Sequence, residues 1–188
     1  AAADALSPTF VHPTAIVHPN ATLGQDGDEC FLDIGDNNEI REYSSVHRSS
    51  KPDEQTIIGH NNLIMGSCHV AHDCKIGNNN ILANNTLLAG HIVVEDYIHT
   101  AGAAVVHQYC HLGSFCFIGG GSVVSQDVPK FMMVSGDRAE LRGLNLEGMR
   151  RRGFSATEEQ HEELGQLPVI CSMVQSIHDS FSESRRGI

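Results

Sequence analysis

Hydrophobic residues recur at every sixth position through the middle of the chain. Of these twelve positions only Thr100 is polar, and they are Ile58, Ile64, Val70, Ile76, Leu82, Leu88, Val94, Thr100, Val106, Leu112, Ile118 and Val124. A helix would repeat every 3.6 residues and an ordinary strand every two. A sustained period of six is typical of a hexapeptide-repeat β-helix, in which short strands form the three sides of a prism. The pattern therefore predicts an all-β fold, a parallel β-helix with eighteen residues in each coil.

The same phase extends toward the N-terminus with interruptions. Residues 12–24 have the pattern of a first coil, whereas residues 25–31 are acidic and irregular. A polar loop from His47 to Thr56 precedes the long run, and solenoids accommodate such loops at a corner without disturbing the stack. Between the two interruptions the phase returns at Ile34, Ile40 and Val46.

The repeat ends near Pro129, because proline cannot donate a strand hydrogen bond. We therefore divide the chain into a β-helix domain of residues 1–137 and a C-terminal helical segment of residues 138–188. Within that segment, residues 138–153 are expected to form a loop followed by a helix. Residues 166–182 have the pattern of an amphipathic helix that would cover an open end of the prism.

Composition narrows the classes of function. The net charge of −11 argues against a basic nucleic-acid-binding face. No stretch approaches the ~18–20 apolar residues that a membrane span requires. The six cysteines include no CxxC pair, so we expect reduced thiols that pack as small hydrophobes. Glycine and asparagine are plentiful, and both suit tight corners because they tolerate left-handed backbone conformations.

The chain is rich in histidine, with twelve residues. Residues eighteen apart stack about 4.8 Å from one another in a β-helix of this type. Gly90 lies one coil beyond His72, and Gln108 lies two coils beyond it. His91 directly follows Gly90, and His107 directly precedes Gln108. The count predicts that all five lie at one edge of the prism. A polar corner explains any single histidine equally well, but several beside a glycine favour a functional site.

Three further features have two interpretations each. Asp73 follows His72 and either orients its imidazole, as carboxylates do for catalytic bases, or lies in a solvated turn. The run Arg150–Arg152 either complements a helix dipole or clamps a phosphate. The run Gly119–Gly121 lacks the context of a phosphate loop, and it permits either close backbone approach or space beside a ligand.

Four segments resemble one family of enzymes, the UDP-N-acetylglucosamine O-acyltransferases. They are CHVAHDCKIGNNNILANNTLLAGH at residues 68–91, AVVHQYC at 104–110, SQDVP at 125–129 and NLEGMRRRGFS at 145–155. The resemblance implies a homotrimer of left-handed β-helices with active sites between subunits. It also implies transfer of an (R)-3-hydroxyacyl group from acyl-carrier protein to the 3-hydroxyl of UDP-N-acetylglucosamine. That reaction is the first step of lipid A biosynthesis and uses neither a cofactor nor a metal.

The resemblance also implies roles for individual residues. His72 would be the general base, Asp73 its acidic partner, and Gly90 the residue whose N–H stabilises the oxyanion. Gly120 would limit the length of the acyl chain. The remaining residues would line the substrate cleft (His69, His91, His107, Gln108) or contact the nucleotide or a phosphate (Asn145, Glu147, Arg151, Arg152).

The chain departs from the family pattern in two places. Between Gly24 and Glu29 the family has several more coils, one of which contacts the sugar nucleotide, and after Glu158 it has a longer helical domain. A shortened, non-catalytic homologue is therefore one alternative. A trimeric metal hydratase of the γ-carbonic-anhydrase type is another, and the later N-acyltransferase of the same pathway is a third. The expected location is mitochondrial for a plant homologue and cytoplasmic for a bacterial one.

Overall fold

The computed structural model describes residues 10–11, 13, 16–17, 22–23, 32–49, 51 and 53–153. In these ranges the chain winds into the predicted parallel β-helix, whose strands form three sheets that we name faces A, B and C. Face A contains β1 (Phe10–Val11), β5 (Glu39–Ile40), β8 (Leu63–Ile64), β11 (Ile81–Leu82), β14 (His99–Thr100), β17 (Phe117–Ile118), β19 (Met132–Ser135) and β20 (Glu140–Leu144).

The other two faces contain six strands each. Face B contains β2 (Ile16–Val17), β6 (Ser45–Val46), β9 (His69–Val70), β12 (Leu87–Leu88), β15 (Val105–Val106) and β18 (Val123–Val124). Face C contains β3 (Thr22–Leu23), β4 (Leu32–Ile34), β7 (Thr56–Ile58), β10 (Lys75–Ile76), β13 (Val93–Val94) and β16 (His111–Leu112). The chain visits the faces in the order A, B, C, and each corner is named by the two faces that it joins.

Strand register confirms the eighteen-residue coil. Leu87 pairs with Val105 on face B, as Lys75 pairs with Val93 on face C. Ser45 pairs with His69 instead, because residues 47–55 form the predicted loop at the B–C corner. The effect of the sixfold pattern is therefore to stack equivalent residues of successive coils directly over one another.

The step from the first coil to the second is shorter than a full turn. Thr22 on β3 pairs in parallel with Asp33 on β4, so both strands lie on face C. Only eleven residues separate this pair, against eighteen in a regular coil. The stacking of β4 on β3 therefore departs from the regular eighteen-residue period.

The inward positions of the sixfold series form the core, and all twelve are at most 2% exposed. Full burial of each aliphatic side chain stabilises the fold by about 1.5–3 kcal/mol. Thr100 fits because its hydroxyl lies 2.7 Å from that of Thr86 and accepts a hydrogen bond from the Ala83 N–H. A buried hydroxyl with partners carries little penalty.

At the corners the backbone adopts the left-handed conformation, and only some of the residues that adopt it are the asparagines that we predicted there. Asn37, Asn61, Asn79 and Asn85 have positive φ, but so do several aromatic residues. The aromatic residues stack on one another between coils, as Tyr97, Phe115 and Phe131 do with ring centroids 5.1 and 5.2 Å apart. The left-handed conformation is unfavourable for a residue with a Cβ atom, and the stacking of the rings offsets this energetic cost.

The loop predicted at the start of residues 138–153 is wrong for Glu140–Leu144, because these residues form β20, which pairs antiparallel with β19. Its side chains are mostly exposed and show no alternation of apolar residues, so the sequence carried no strand signal there. The strand forms because the last parallel strand of face A offers a free edge. The predicted helix follows as α1 (Leu146–Arg151), whereas the helix expected over residues 166–182 lies outside the described residues.

Two expectations from composition can be compared with the structure. Cys68, Cys74, Cys110 and Cys116 are buried and free, as predicted. Burial raises the pKa of Cys74 and of Cys110 to about 11, so these thiols are protonated at neutral pH. In the part of the chain that the structure describes, no helix has the length and apolarity to cross a membrane.

Candidate active site

The B–C corner carries the predicted histidine cluster on successive coils. His72 lies against Gly90 of the next coil, and the His91 N–H donates to the His72 carbonyl oxygen over 3.1 Å. The rings of His72 and His91 meet edge to face with centroids 5.1 Å apart. His107 and Gln108 are exposed at the same corner one coil further on. The eighteen-residue count therefore located this edge correctly.

His72 and Asp73 form a close pair. His72 Nδ1 lies 2.6 Å from Asp73 Oδ2, and the His72 side chain is 49% exposed whereas that of Asp73 is 4% exposed. The Asp73 N–H donates to Thr56 Oγ1, which in turn donates to the His47 carbonyl oxygen. The backbone of Asp73 is thus tied to Thr56, and the half-exposed imidazole of His72 remains accessible to a substrate.

The Asp73 carboxylate is held in its charged form. Burial alone would raise its pKa, but the Ser49 hydroxyl, the hydrogen bond with His72 and the positive charges of His91 and His72 outweigh burial, so the pKa is lowered. Asp73 Oδ1 is buried and has no hydrogen-bond partner among the described residues. The Ser49 hydroxyl and the contacts to Oδ2 are therefore the interactions that act on this carboxylate.

His91 connects Asp73 to two residues that the sequence reasoning missed. Its Nε2 lies 3.7 Å from Asp73 Oδ2, and its Nδ1 lies 3.5 Å from Glu54 Oε2. The ring of Tyr109 stacks on His91 at 4.8 Å with an interplanar angle of 9°. Tyr109 is eighteen residues beyond His91, so the same count would have found it, whereas nothing in the sequence places the Glu54 loop against His91.

Gly90 is required by the position of His72. A Cβ atom at Gly90 would lie 2.8 Å from His72 Cε1 and 2.9 Å from Nε2, which is closer than real side chains approach. The backbone of Gly90 therefore lies directly beside the free edge of the imidazole. A backbone N–H beside a reacting group is one of the donors that can stabilise an oxyanion.

His69 lies on face B rather than at the corner itself. Its Nδ1 is 2.7 Å from Ser45 Oγ, and its ring meets that of His47 edge to face at 4.7 Å. Burial lowers the pKa of His69, and the neighbouring charge of His47 lowers it further. His69 is therefore a neutral hydrogen-bonding group near pH 7.

The other predicted contact residues lie at different corners of the same chain. Gly120 is exposed at the A–B corner, where a Cβ would meet the Gly102 carbonyl oxygen at 3.4 Å. Asn145 donates to the carbonyl oxygen of Phe115, which lies at the C–A corner. Arg152 lies 4.3 Å from the ring centroid of Tyr97 at that corner. One chain therefore does not bring these residues to His72.

Two of these residues also have structural roles in α1. Asn145 caps the helix, because its side chain accepts from the Gly148 N–H over 3.0 Å. Glu147 forms ion pairs with Arg150 at 3.0 Å and Arg151 at 2.7 Å. Both arginines lie in the last turn, where cations complement the helix dipole.

The cluster also has donors of the type that bind metals. One ligand atom each from His72, Asp73 and His91 lies within 4.8 Å of the others. Zinc accepts such a set, but it needs all three donors free to converge at about 2.0–2.2 Å. In this structure His72 Nδ1 and Asp73 Oδ2 form a hydrogen-bonded pair 2.6 Å apart, so the same residues also form a dyad.

Two segments of the chain match known protein families. Residues 127–166 match the family described as UDP-N-acetylglucosamine O-acyltransferase, domain 2. Residues 55–90 match the bacterial transferase hexapeptide family of six repeats. The hexapeptide match includes His72, Asp73 and Gly90 of the B–C corner. The O-acyltransferase match covers the end of the β-helix and the start of the C-terminal segment.

Whole-chain relatives belong to the same group. The chain is 59% identical to a probable mitochondrial acyl-acyl-carrier-protein–UDP-N-acetylglucosamine O-acyltransferase of Arabidopsis thaliana, over 96% of this chain and 65% of the relative. It is 38% identical to the Pseudomonas fluorescens O-acyltransferase of that name, over 92% of this chain and 77% of the relative. The crystal structure of an Arabidopsis UDP-N-acetylglucosamine acyltransferase superposes with a TM-score of 0.77 at 63% identity, covering 88% of this chain and 67% of the other.

The chain is shorter than these relatives in its interior as well as overall. It spans 65% of the length of the Arabidopsis relative. That match runs over 217 residues, more than the 188 of this chain, so the relative has residues within the matched stretch that have no counterpart here. One place where coils of the relative can lack a counterpart in this chain is between Thr22 and Asp33, which pair although only eleven residues separate them.

Proposed function

The chain belongs to the UDP-N-acetylglucosamine O-acyltransferase family, and we propose that it transfers an (R)-3-hydroxyacyl group from acyl-carrier protein to the 3-hydroxyl of UDP-N-acetylglucosamine. The observation that carries the proposal is the dyad of His72 and Asp73 with the backbone of Gly90 beside its free edge. A buried carboxylate, an accessible imidazole and a nearby backbone donor are the parts that acyl transfer to a hydroxyl requires.

In this mechanism His72 acts first as a general base. Its Nε2 takes the proton of the sugar 3-hydroxyl, and the oxygen attacks the thioester carbonyl carbon. The resulting oxyanion accepts a hydrogen bond from the Gly90 N–H, an interaction worth about 10²–10³ in rate. Collapse of the intermediate forms the ester and breaks the C–S bond, and the imidazolium returns the proton to the departing thiolate. Asp73 stabilises the imidazolium between the two proton transfers.

A homotrimer completes the site in this proposal. Gly120 and Arg152 lie at corners other than that of His72, so a second chain must supply them. The outward residues of faces A and B are largely apolar, as Phe117 and Leu87 illustrate, and Leu87 is 42% exposed in the single chain. A cyclic arrangement brings one corner of each chain to a different corner of its neighbour. Sedimentation equilibrium tests this directly, since the proposal expects three chains per particle.

The transfer assay that tests the function uses defined donors. We would incubate the protein with UDP-N-acetylglucosamine and 3-hydroxyacyl-carrier proteins of several chain lengths, and detect the product by mass spectrometry. The proposal expects a product heavier by one 3-hydroxyacyl group. Absence of product with every donor, together with no thermal stabilisation by UDP-N-acetylglucosamine, would favour the shortened, non-catalytic homologue instead.

A metal hydratase is the second candidate, because three potential metal ligands cluster at the B–C corner. Elemental analysis of the purified protein separates the two functions. The acyltransferase proposal expects transfer to survive treatment with a chelator. One tightly bound zinc ion per site and loss of all activity on its removal would favour the hydratase.

The name of the Arabidopsis relative includes the word mitochondrial. We propose the same location for this chain. Fractionation of the source cells with an antibody to the protein tests it. Co-purification with the mitochondrial matrix is the expected result, and recovery in the cytosolic fraction would contradict it.

A further inference from the structure

The loop of residues 47–55 lies next to the His72 dyad. It leaves the prism at the B–C corner one coil before His72. Both ends of the loop are tied to the dyad, because Thr56 accepts from the Asp73 N–H and donates to the His47 carbonyl oxygen. The loop is also bonded within itself, since Ser49 Oγ accepts from the Lys51 N–H over 3.0 Å. The described part of the loop is therefore tied to the corner that carries Asp73.

One side chain of this loop, Glu54, reaches into the histidine cluster. Its Oε1 lies 2.7 Å from Lys51 Nζ, and its Oε2 lies 3.5 Å from His91 Nδ1. Lys51 thus holds one carboxylate oxygen while the other faces the imidazole. The Glu54 side chain is 34% exposed and that of His91 is 21% exposed, so this contact is partly shielded from water.

Tyr109 stacks on His91 and so fixes the plane of the imidazole ring of His91. This stacking does not decide which edge of that ring faces Asp73. Tyr109 lies parallel to His91 at 4.8 Å, and such a contact hardly changes if the imidazole rotates by half a turn about its Cβ–Cγ bond. That rotation would exchange each ring nitrogen with a carbon. A contact at the ring edge is needed to select one of the two orientations, and Glu54 makes that contact at Nδ1.

The selected orientation matters to the dyad. With Nδ1 against Glu54, the Nε2 atom of His91 faces Asp73 Oδ2 at 3.7 Å. His72 Nδ1 also lies 2.6 Å from Asp73 Oδ2. The other carboxylate oxygen, Oδ1, has no hydrogen-bond partner in the described part of the chain. Beside the Ser49 hydroxyl and His72, His91 is therefore a third group that acts on the Asp73 carboxylate, and it does so when it presents a nitrogen to Oδ2.

We propose that Glu54 is a positioning residue for acyl transfer, which acts by selecting the ring orientation of His91 that supports the Asp73–His72 dyad. This inference depends on the proposed function for its kinetic consequence. Glu54 touches neither the sugar nor the thioester in this account, so its effect belongs to kcat rather than to substrate binding. Lys51 contributes indirectly by holding Glu54.

The test compares Glu54→Ala with Glu54→Gln. The amide of Gln retains an oxygen that can face Nδ1, whereas Ala removes the contact. We expect Glu54→Ala to lower kcat about tenfold, as loss of an outer-shell partner does, with KM unchanged, and Glu54→Gln to restore most of the rate. Asp53→Asn is the matched control, because it removes the same charge from the exposed neighbouring residue of the loop. We expect its rate to equal that of the wild type.

A spectroscopic readout keeps the two proposals separate. In protein labelled with ¹⁵N-histidine, the ring nitrogen signals of His91 should shift in Glu54→Ala and remain in place in Asp53→Asn. Wild-type kcat in Glu54→Ala, a loss in KM alone, or unchanged His91 signals would each overturn the inference. If the wild type transferred no acyl group, the proposed function would fail, and the His91 signals would still decide whether Glu54 orients the ring.

Discussion

Asp73 Oδ2 lies 2.6 Å from His72 Nδ1, and the aspartate is almost completely buried while the histidine is half exposed. The pKa of Asp73 is lowered despite that burial, so the carboxylate stays charged at neutral pH. A fixed negative charge behind an accessible imidazole favours proton uptake at the opposite nitrogen. The pair therefore has the polarity of a general base.

Asp73→Asn should reduce activity without unfolding the protein. The amide retains an oxygen that accepts from His72 Nδ1 but has no charge to stabilise the imidazolium. We expect kcat to fall by a factor between about 10 and 10⁴, measured with saturating donor. Asp36→Asn is the matched control, because Asp36 Oδ2 lies 3.7 Å from His60 Nδ1 away from the B–C corner. Equal losses in both variants would contradict the role of Asp73.

Gly90→Ala should displace the imidazole of His72, which we propose as the general base. The added methyl group would lie 2.8 Å from His72 Cε1, so the imidazole must move, although the backbone N–H of residue 90 is retained. We expect transfer to be lost while the melting temperature falls little. Gly102→Ala provides a control for stability, because its Cβ would approach only the Asn84 carbonyl oxygen, at 3.5 Å. Full activity in Gly90→Ala would show that the imidazole position is unimportant.

The sixfold period predicted the parts of the fold that depend on stacking. It gave the three faces, the buried series and the edge that holds His72 and Gly90, because residues eighteen apart must lie over one another. It did not give β20, whose exposed side chains have no pattern and whose pairing comes from the edge of β19. It also did not give the approach of Glu54 to His91, because loop geometry depends on local bonds rather than on the repeat.

The locations of Gly120 and Arg152 illustrate a second limit. A resemblance assigns residues to one site, but a single chain places these two at other corners of the prism. In the proposed trimer, contact between chains brings them to His72, and a sequence has no direct signal for such contact. The interactions of Arg152 with Tyr97 and of Glu147 with Arg151 are visible only in the structure.

Gly120→Met should change the preferred donor. A side chain is tolerated at Gly120, because its Cβ would make ordinary contacts with Gly102 and Ala101 at 3.4 and 3.8 Å. A long side chain there would occupy space that we propose for the acyl chain. The expected result in competition assays is a preference for shorter 3-hydroxyacyl donors than the wild type uses. An unchanged donor profile would remove Gly120 from the site.

Glu95 should make the stability of the β-helix depend on pH. Burial would raise its pKa, but hydrogen bonds from His111, Ser114 and Lys130 outweigh burial and lower it well below the ordinary value of 4.5. A lowered pKa means that the stabilisation is complete above pH 4.5 and is lost as the pH falls toward the folded-state value.

Glu95→Gln measures that contribution. At neutral pH we expect the variant to be less stable than the wild type by about 1.5–3 kcal/mol, the range for a hydrogen bond to a charged group. Urea unfolding at a series of pH values should show this difference shrinking below pH 4.5. A difference that stays constant down to about pH 3 would mean that the charge of Glu95 contributes nothing.

The initial rate of acyl transfer by His72→Ala, measured beside the wild type, tests the central claim most directly. His60→Ala is the matched control, since His60 also faces a carboxylate but lies away from the B–C corner. We predict that His72→Ala lowers the rate by at least about 10²-fold, with the same particle size as the wild type, while His60→Ala keeps wild-type activity. If His72→Ala retains most of the rate, the base has been assigned to the wrong residue.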